Sequence, residues 1–177
     1  QAATTTLTYD SVGNVTGLTN ANGATTNFTY NALNQLISTT DSGLRTTDYS
    51  YDANGNLIQV DRQAKTSPGP RPAPGTTSPT DGWQSTVYAY TLLDQLASVT
   101  DDLNHTTSFT YDNNGNRDTI TDAETHTTTY AYDERDLLQQ ATDAATPPGI
   151  TTYVYDPNGN QASLQDANTN PTTYAYD

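Results

Sequence analysis

The chain has 177 residues, a formal net charge of -14 from 20 acidic and 6 basic side chains, and a mean hydropathy of -0.75. Only 25 residues are Leu, Ile, Val or Phe, about 14%, a share that in a highly charged chain ordinarily marks disorder. The charge argues strongly against nucleic acid as a partner, no apolar run reaches the length of a membrane span, and the absence of Cys excludes disulfides, thiolate metal sites and a Cys nucleophile. Against disorder stand 13 Tyr, and their placement organises everything else.

In chain order, the first predicted strand holds Thr5, Leu7 and Tyr9 on one face, the two-residue period of a β-strand. A turn follows, with Gly13 where a positive φ is wanted. A second strand begins at Val15, and its next apolar residue, Leu18, comes three positions later, which predicts a bulge between them. A polar link then leads to the next strand, Thr26-x-Phe28-x-Tyr30. The cycle repeats: the motif tyrosine recurs at Tyr9, Tyr30, Tyr51, Tyr90, Tyr111, Tyr132, Tyr155 and Tyr176, at spacings of 21, 21, 39, 21, 21, 23 and 21 residues. Fixed-period self-similarity of this kind marks a repeat architecture.

Each repeat is two short strands and two turns. Four residues before the motif tyrosine stands Thr in all eight cases, and two before it stands Leu7 or an aromatic ring, so every Tyr and both Phe fall in two columns. Four residues after it come Gly13, Asn34, Gly55, Asp94, Gly115, Asp136 and Gly159, the residue types that best tolerate a left-handed backbone. A slower rhythm lies on top. Gly-Asn turns alternate with Leu-rich ones such as Leu33-Asn34-Gln35-Leu36, which are expected to carry more of the apolar contact over a period of about two repeats. The organisation read from the sequence is therefore residues 1–61 (repeats at Tyr9, Tyr30 and Tyr51), a Pro/Gly-rich insertion at 62–80, and residues 81–177 (repeats at Tyr90, Tyr111, Tyr132, Tyr155 and Tyr176). The insertion, Ser67 to Thr77, is expected to leave the sheet as an extended loop similar to short glycosylated stalks.

Segments such as Tyr51-Asp52-Ala53-Asn54-Gly55-Asn56-Leu57 and Tyr111-Asp112-Asn113-Asn114-Gly115-Asn116 resemble the YD repeats of bacterial Rhs and wall-associated proteins, also found in Tc-toxin subunits and teneurins. The resemblance covers essentially the whole chain outside the insertion. It implies an all-β fold in which tandem repeats of about 21 residues form an antiparallel β-hairpin ribbon, as a spiralling shell wall or a solenoid- or fibre-like stack. It also implies an extracellular or cell-surface setting. The chain stops in repeat at Tyr176-Asp177, so no toxin domain is expected after it, and neither end reads as a polar cap. Further copies, or adjoining repeats of a longer chain, are the expected partners.

Candidate sites are weighed against plainer readings. The aromatic rows could bind carbohydrate, the alternative to a structural role and to the wall of a toxin-enclosing cocoon; the plainer expectation is that the rings pack inward as the core. The Asp/Asn-rich turns faintly match calcium loops but lack a completing Glu, and turn chemistry explains them. His105 and His126 share one column, too few for zinc. Asn14, Asn27 and Asn104 satisfy N-x-[ST] for glycosylation. No catalytic constellation emerges, so the expected function is a non-enzymatic structural module without a cofactor.

Overall fold

In the computed structural model, which describes residues 4–64, 68–77 and 82–176, the chain is built from strands and turns. Fifteen strands run in order: β1 (Thr6–Tyr9), β2 (Val15–Thr19), β3 (Thr25–Tyr30), β4 (Leu36–Thr40), β5 (Thr46–Tyr51), β6 (Leu57–Gln63), β7 (Trp83–Tyr90), β8 (Leu96–Thr100), β9 (Thr106–Tyr111), β10 (Arg117–Thr121), β11 (Thr127–Tyr132), β12 (Leu138–Thr142), β13 (Ile150–Tyr155), β14 (Gln161–Gln165) and β15 (Pro171–Thr173). The chain divides into two compact parts, one ending at Asn104 and the other beginning at His105. In the first, β1 to β8 form an antiparallel meander in chain order. In the second, β9 to β15 do the same.

The spacing of three in the second strand is resolved as the pattern requires. In all seven motif hairpins the register shifts just before the motif tyrosine: Thr8 faces Gly17, but Tyr9 faces Val15, skipping Thr16. The same shift recurs from Tyr30 to Tyr155. A bulged residue restores the first apolar column to the face that carries the second, because one extra residue flips a strand's alternation. Tyr30 thus lies opposite Leu36, Tyr51 opposite Leu57 and Tyr49 opposite Val60.

One face of each meander therefore carries aromatic and aliphatic side chains, and the other carries Thr, Ser, Asn, Gln and Asp. On the polar face of the second part, Thr110, Thr119, Thr129 and Thr142 follow one another across four strands. The apolar face is not a closed core. Interior rings such as Phe28, Tyr49, Tyr88 and Tyr130 are half-buried against in-plane neighbours, and Tyr9, Tyr174 and Tyr176 are exposed. Among the described strand residues, the buried apolar side chains are Val60 and Trp83. Cross-strand pairs of this kind contribute roughly 0.2–1 kcal/mol each, so the meander is stabilised repeat by repeat.

Further expectations need correction. The insertion boundary moves inward, because β6 continues to Gln63 and pairs with β7 as far as Trp83. Pro68 to Thr77 do not project as a stalk: they fold back over the polar face, where Pro72 is buried. Two of the Leu-rich turns add no apolar contact, since Leu33 and Leu93 are 76% and 80% exposed. The last aromatic segment is also regular only over Pro171–Thr173, with a single neighbouring strand.

Candidate functional site

The motif turn starts from an Asp or Asn directly after the tyrosine, or Thr91 in one repeat. Asp10 shows its chemistry. Its backbone N–H donates to the Asn14 carbonyl, its own carbonyl accepts from Gly13 N–H, and its Oδ1 accepts the N–H groups of Val12 and Asn14 at 3.0 and 2.8 Å. The fourth residue after the tyrosine has positive φ in all seven motif turns: 97° at Gly13, 59° at Asn34, 93° at Gly55, 57° at Asp94, 90° at Gly115, 60° at Asp136 and 86° at Gly159.

The link turns have the same design, which the sequence did not announce. Asp41 Oδ1 accepts from Gly43 and Arg45 N–H, both at 2.9 Å, and Leu44 takes the positive φ. Thr125 and Thr169 occupy this position in later links. These residues are poor formers of the left-handed region, and at Asp41 the glycine stands one residue early, so side-chain identity hides the turn.

Repeats are fastened to each other in two ways. The motif tyrosine hydroxyl donates to the carbonyl that opens the second strand of the preceding repeat: Tyr30 to Val15, Tyr51 to Leu36, Tyr90 to Leu57, Tyr132 to Arg117, Tyr155 to Leu138 and Tyr176 to Gln161, at 2.9–3.0 Å. The partners are all backbone carbonyls. The second fastening explains the alternating turns. Asn54 and Asn56 both donate to Asp94 Oδ1, at 2.9 and 2.7 Å. Asn114 and Asn116 do the same to Asp136 at 2.8 and 2.7 Å, and Asn14 donates to Asn34 at 3.0 Å. A Gly-Asn turn is the donor half of a clasp, and the following turn is the acceptor half.

The most enclosed chemistry lies beneath the folded-back insertion, here called the strap. Gln59, Asp61 and Ser85 on the polar face of β6 and β7 are 0%, 0% and 2% exposed. Asp61 Oδ1 accepts from Gln59 Nε2 at 2.7 Å and Ser85 Oγ at 2.6 Å. Arg71 Nε donates to Asp61 Oδ2 at 2.8 Å, its second nitrogen donates to Ser50 Oγ at 2.9 Å, and Asp48 lies 3.6 Å away. Gln59 also donates to the Thr76 carbonyl and accepts the Gly75 N–H, while Trp83 Nε1 donates to the Gly69 carbonyl at 3.1 Å. The site left little trace in the sequence: Gln59 and Asp61, alternating with Ile58 and Val60 in β6, were its only signal.

The remaining candidates are placed as follows. Asn14 Nδ2 already donates to Asp10 and Asn34. Asn27 is exposed on the polar face of β3, and Asn104 sits in a link turn at φ 64° with its Oδ1 accepting from Thr77. His126 Nδ1 lies 3.0 Å from Asp122 Oδ2 within its own turn. Asp122, Glu124 and His126 are the only group of three potential ligands found together among the described residues; His105 is not in it, and Glu124 and His126 are exposed.

A family model described as RHS repeat matches residues 9–46, 30–66 and 90–127, together more than half of the chain. Among solved structures, the crystal structure of TcdB2-TccC3-TEV is 16% identical with a TM-score of 0.42, covering 98% of this chain and 12% of that one. That of TcdB2-TccC3 is 15% identical with a TM-score of 0.39, covering 92% and 12%. A porin-like protein from Bacteroides uniformis is 14% identical with a TM-score of 0.34, covering 96% and 86%. The chain thus spans about 12% of the length of the first two. No curated protein matches it.

Proposed function

The chain belongs to the RHS-repeat family, and on that premise we propose that it is a non-enzymatic wall segment of a secreted or cell-surface protein, continued by adjoining repeats of a longer chain. The observation that carries this reading is the tyrosine brace. Six of the eight motif tyrosines place their hydroxyl on the backbone of the repeat before them, so such a repeat is complete only as one member of an array. The aromatic face stays half-open within each meander, as a wall requires and a self-sufficient globule does not. No helix among the described residues is long and apolar enough to cross a membrane.

The brace also weighs against a sugar-binding face as the main role. The hydroxyls of Tyr30, Tyr51, Tyr90, Tyr132, Tyr155 and Tyr176 are committed to backbone carbonyls and are not free to order a saccharide. Enclosure of a toxic cargo stays a property proposed for the longer chain, with this segment supplying wall.

Lengthening the array tests the reading. A copy of residues 134–176 appended after Asp177 continues the repeat in phase, with the Asn158 and Asn160 turn facing a new copy of Asp136. Nearest-neighbour stabilisation predicts a higher unfolding midpoint and a steeper denaturant dependence, because more surface is buried. An unchanged midpoint, with the added repeats digested separately by protease, would overturn the reading.

A further inference from the structure

The strap is held as a ligand is held. Its backbone is read at three points by side chains of the sheet: Trp83 takes the Gly69 carbonyl, and Gln59 takes both the Gly75 N–H and the Thr76 carbonyl. Its one cation enters an acidic recess. Arg71 meets Asp61, Ser50 and Asp48, and the carboxylate it meets is fully buried and oriented from behind by Gln59 and Ser85. Pro72, next in sequence, is buried. Paired readout of backbone amide and carbonyl, with a planar fork in a carboxylate recess, is how extended and proline-rich peptides are recognised.

We propose that the polar face of β6 and β7 is a recognition site for an arginine-bearing, proline-rich segment, and that it takes the strap of a second copy of this chain when its own strap is displaced. Charge complementarity favours that occupant. The recess carries Asp48 and Asp61, and the chain has only 6 basic side chains, of which Arg71 is the one already shaped to it. Every copy carries both halves, so exchange creates no new contact and needs only release of the intramolecular one. Short tethers give the resident strap a high effective concentration, which keeps the isolated chain closed. Weakening one half in each of two copies opens it.

Two full-length variants separate the halves. Arg71→Ala retains the recess with a defective strap, and Asp61→Asn retains the strap with a defective recess. Each alone is expected to sediment as a monomer, while an equimolar mixture forms a heterodimer. Trp83, the only Trp, reports docking directly. Its emission shifts to the red in Arg71→Ala and returns on addition of a synthetic peptide of residues 68–77. A peptide with Ala in place of Arg71 binds at least about tenfold more weakly, the loss expected for one charge-assisted fork. Far-UV circular dichroism checks that each variant keeps its strands. Arg71→Lys, which keeps the charge and loses the fork, gives the same comparison should the alanine variant unfold. Absence of heterodimer together with no peptide response at millimolar concentration overturns the proposal, as does equal binding of the arginine-free peptide.

Discussion

Asn116 and Asp136, twenty residues apart in sequence, meet at 2.7 Å across the gap between successive turns, and the same carboxylate oxygen takes Asn114 at 2.8 Å. One oxygen thereby ties two residues of the preceding turn. Asp136 also holds φ at 60°, so a test must remove the charge without disturbing the backbone. Asp136→Asn does so, because Asn tolerates the left-handed region equally well, and Asn34 already stands at the matching position with a single donor. The clasp is exposed, and its charge assistance is screened accordingly. The substitution is expected to cost about half a kcal/mol, read as a lowered urea midpoint with unchanged slope.

The parts of this arrangement that were legible in the sequence are those produced by local chemistry. A left-handed turn position admits few residue types, so Gly13 and Asp94 mark it plainly, and a three-residue gap between Val15 and Leu18 on one face can only be closed by a bulge. What was illegible depends on contacts between segments. Arg71 is ten residues from Asp61, yet nothing in a Pro-Gly-Pro-Arg-Pro run says that it folds back onto a strand. The alternating turns were visible as a rhythm but misread. Leu33 suggested packing, whereas the residue that acts is its neighbour Asn34. The link turns were hidden because Leu44, Thr125 and Thr169 accept a conformation their side chains oppose.

Acid should dissolve the turns. Asp10, Asp156 and Asp166 are held below the ordinary carboxylate range chiefly by the side-chain amide of the Asn four residues on. At Asp41, Asp122 and Asp143 the main cause is a backbone N–H, from Arg45, His126 and Gly149 respectively. Desolvation opposes the shift at Asp52 and Asp112, and the amides of Asn56 and Asn116 with the turn N–H groups outweigh it. A carboxyl whose folded value is depressed contributes stability that is fully present above its ordinary value of 3.8 and lost as pH falls through the depressed one. Urea midpoints are therefore expected to hold from neutral pH down to about pH 5 and to fall steeply below about pH 4. A midpoint that stays level to about pH 2 would contradict this assignment.

Alkali should loosen the brace between repeats. Burial pushes the phenols of Tyr51, Tyr90, Tyr132 and Tyr155 above their ordinary value of 10.0; neighbouring Tyr or Asp charges add to it, and at Tyr132 the Arg117 charge partly opposes it. The protonated form is the one the fold prefers, since only it can donate to the carbonyl. Its contribution is present below the ordinary value and lost as pH rises through the raised one. Tyr51→Phe deletes the bond to Leu36 while keeping the ring, and is expected to cost about 1 kcal/mol at neutral pH. Tyr176→Phe, at a side chain 56% exposed, should cost less. Denaturation followed with tyrosinate absorbance checks both, and Tyr51→Phe should flatten the fall in stability above pH 10.

The link turns offer a substitution that improves the fold. Thr125 holds φ at 68° with its N–H donated to the Asp122 carbonyl at 3.1 Å, so its N–H is satisfied and the side chain is what the backbone resists. A left-handed conformation costs an ordinary L-residue roughly 1–2 kcal/mol, while Gly adds unfolded-state freedom that costs about 0.5–1 kcal/mol. Thr125→Gly is thus expected to stabilise by up to about 1 kcal/mol, a rise of a few degrees in melting temperature. Gly115→Thr, at φ 90° in the neighbouring motif turn, makes the reverse change and should destabilise by more. The pair is measured in one calorimetric series. If Thr125→Gly lowers the melting temperature, the hydroxyl or methyl of Thr125 stabilises the turn by more than the backbone strain costs, and the strain account of the link turns fails.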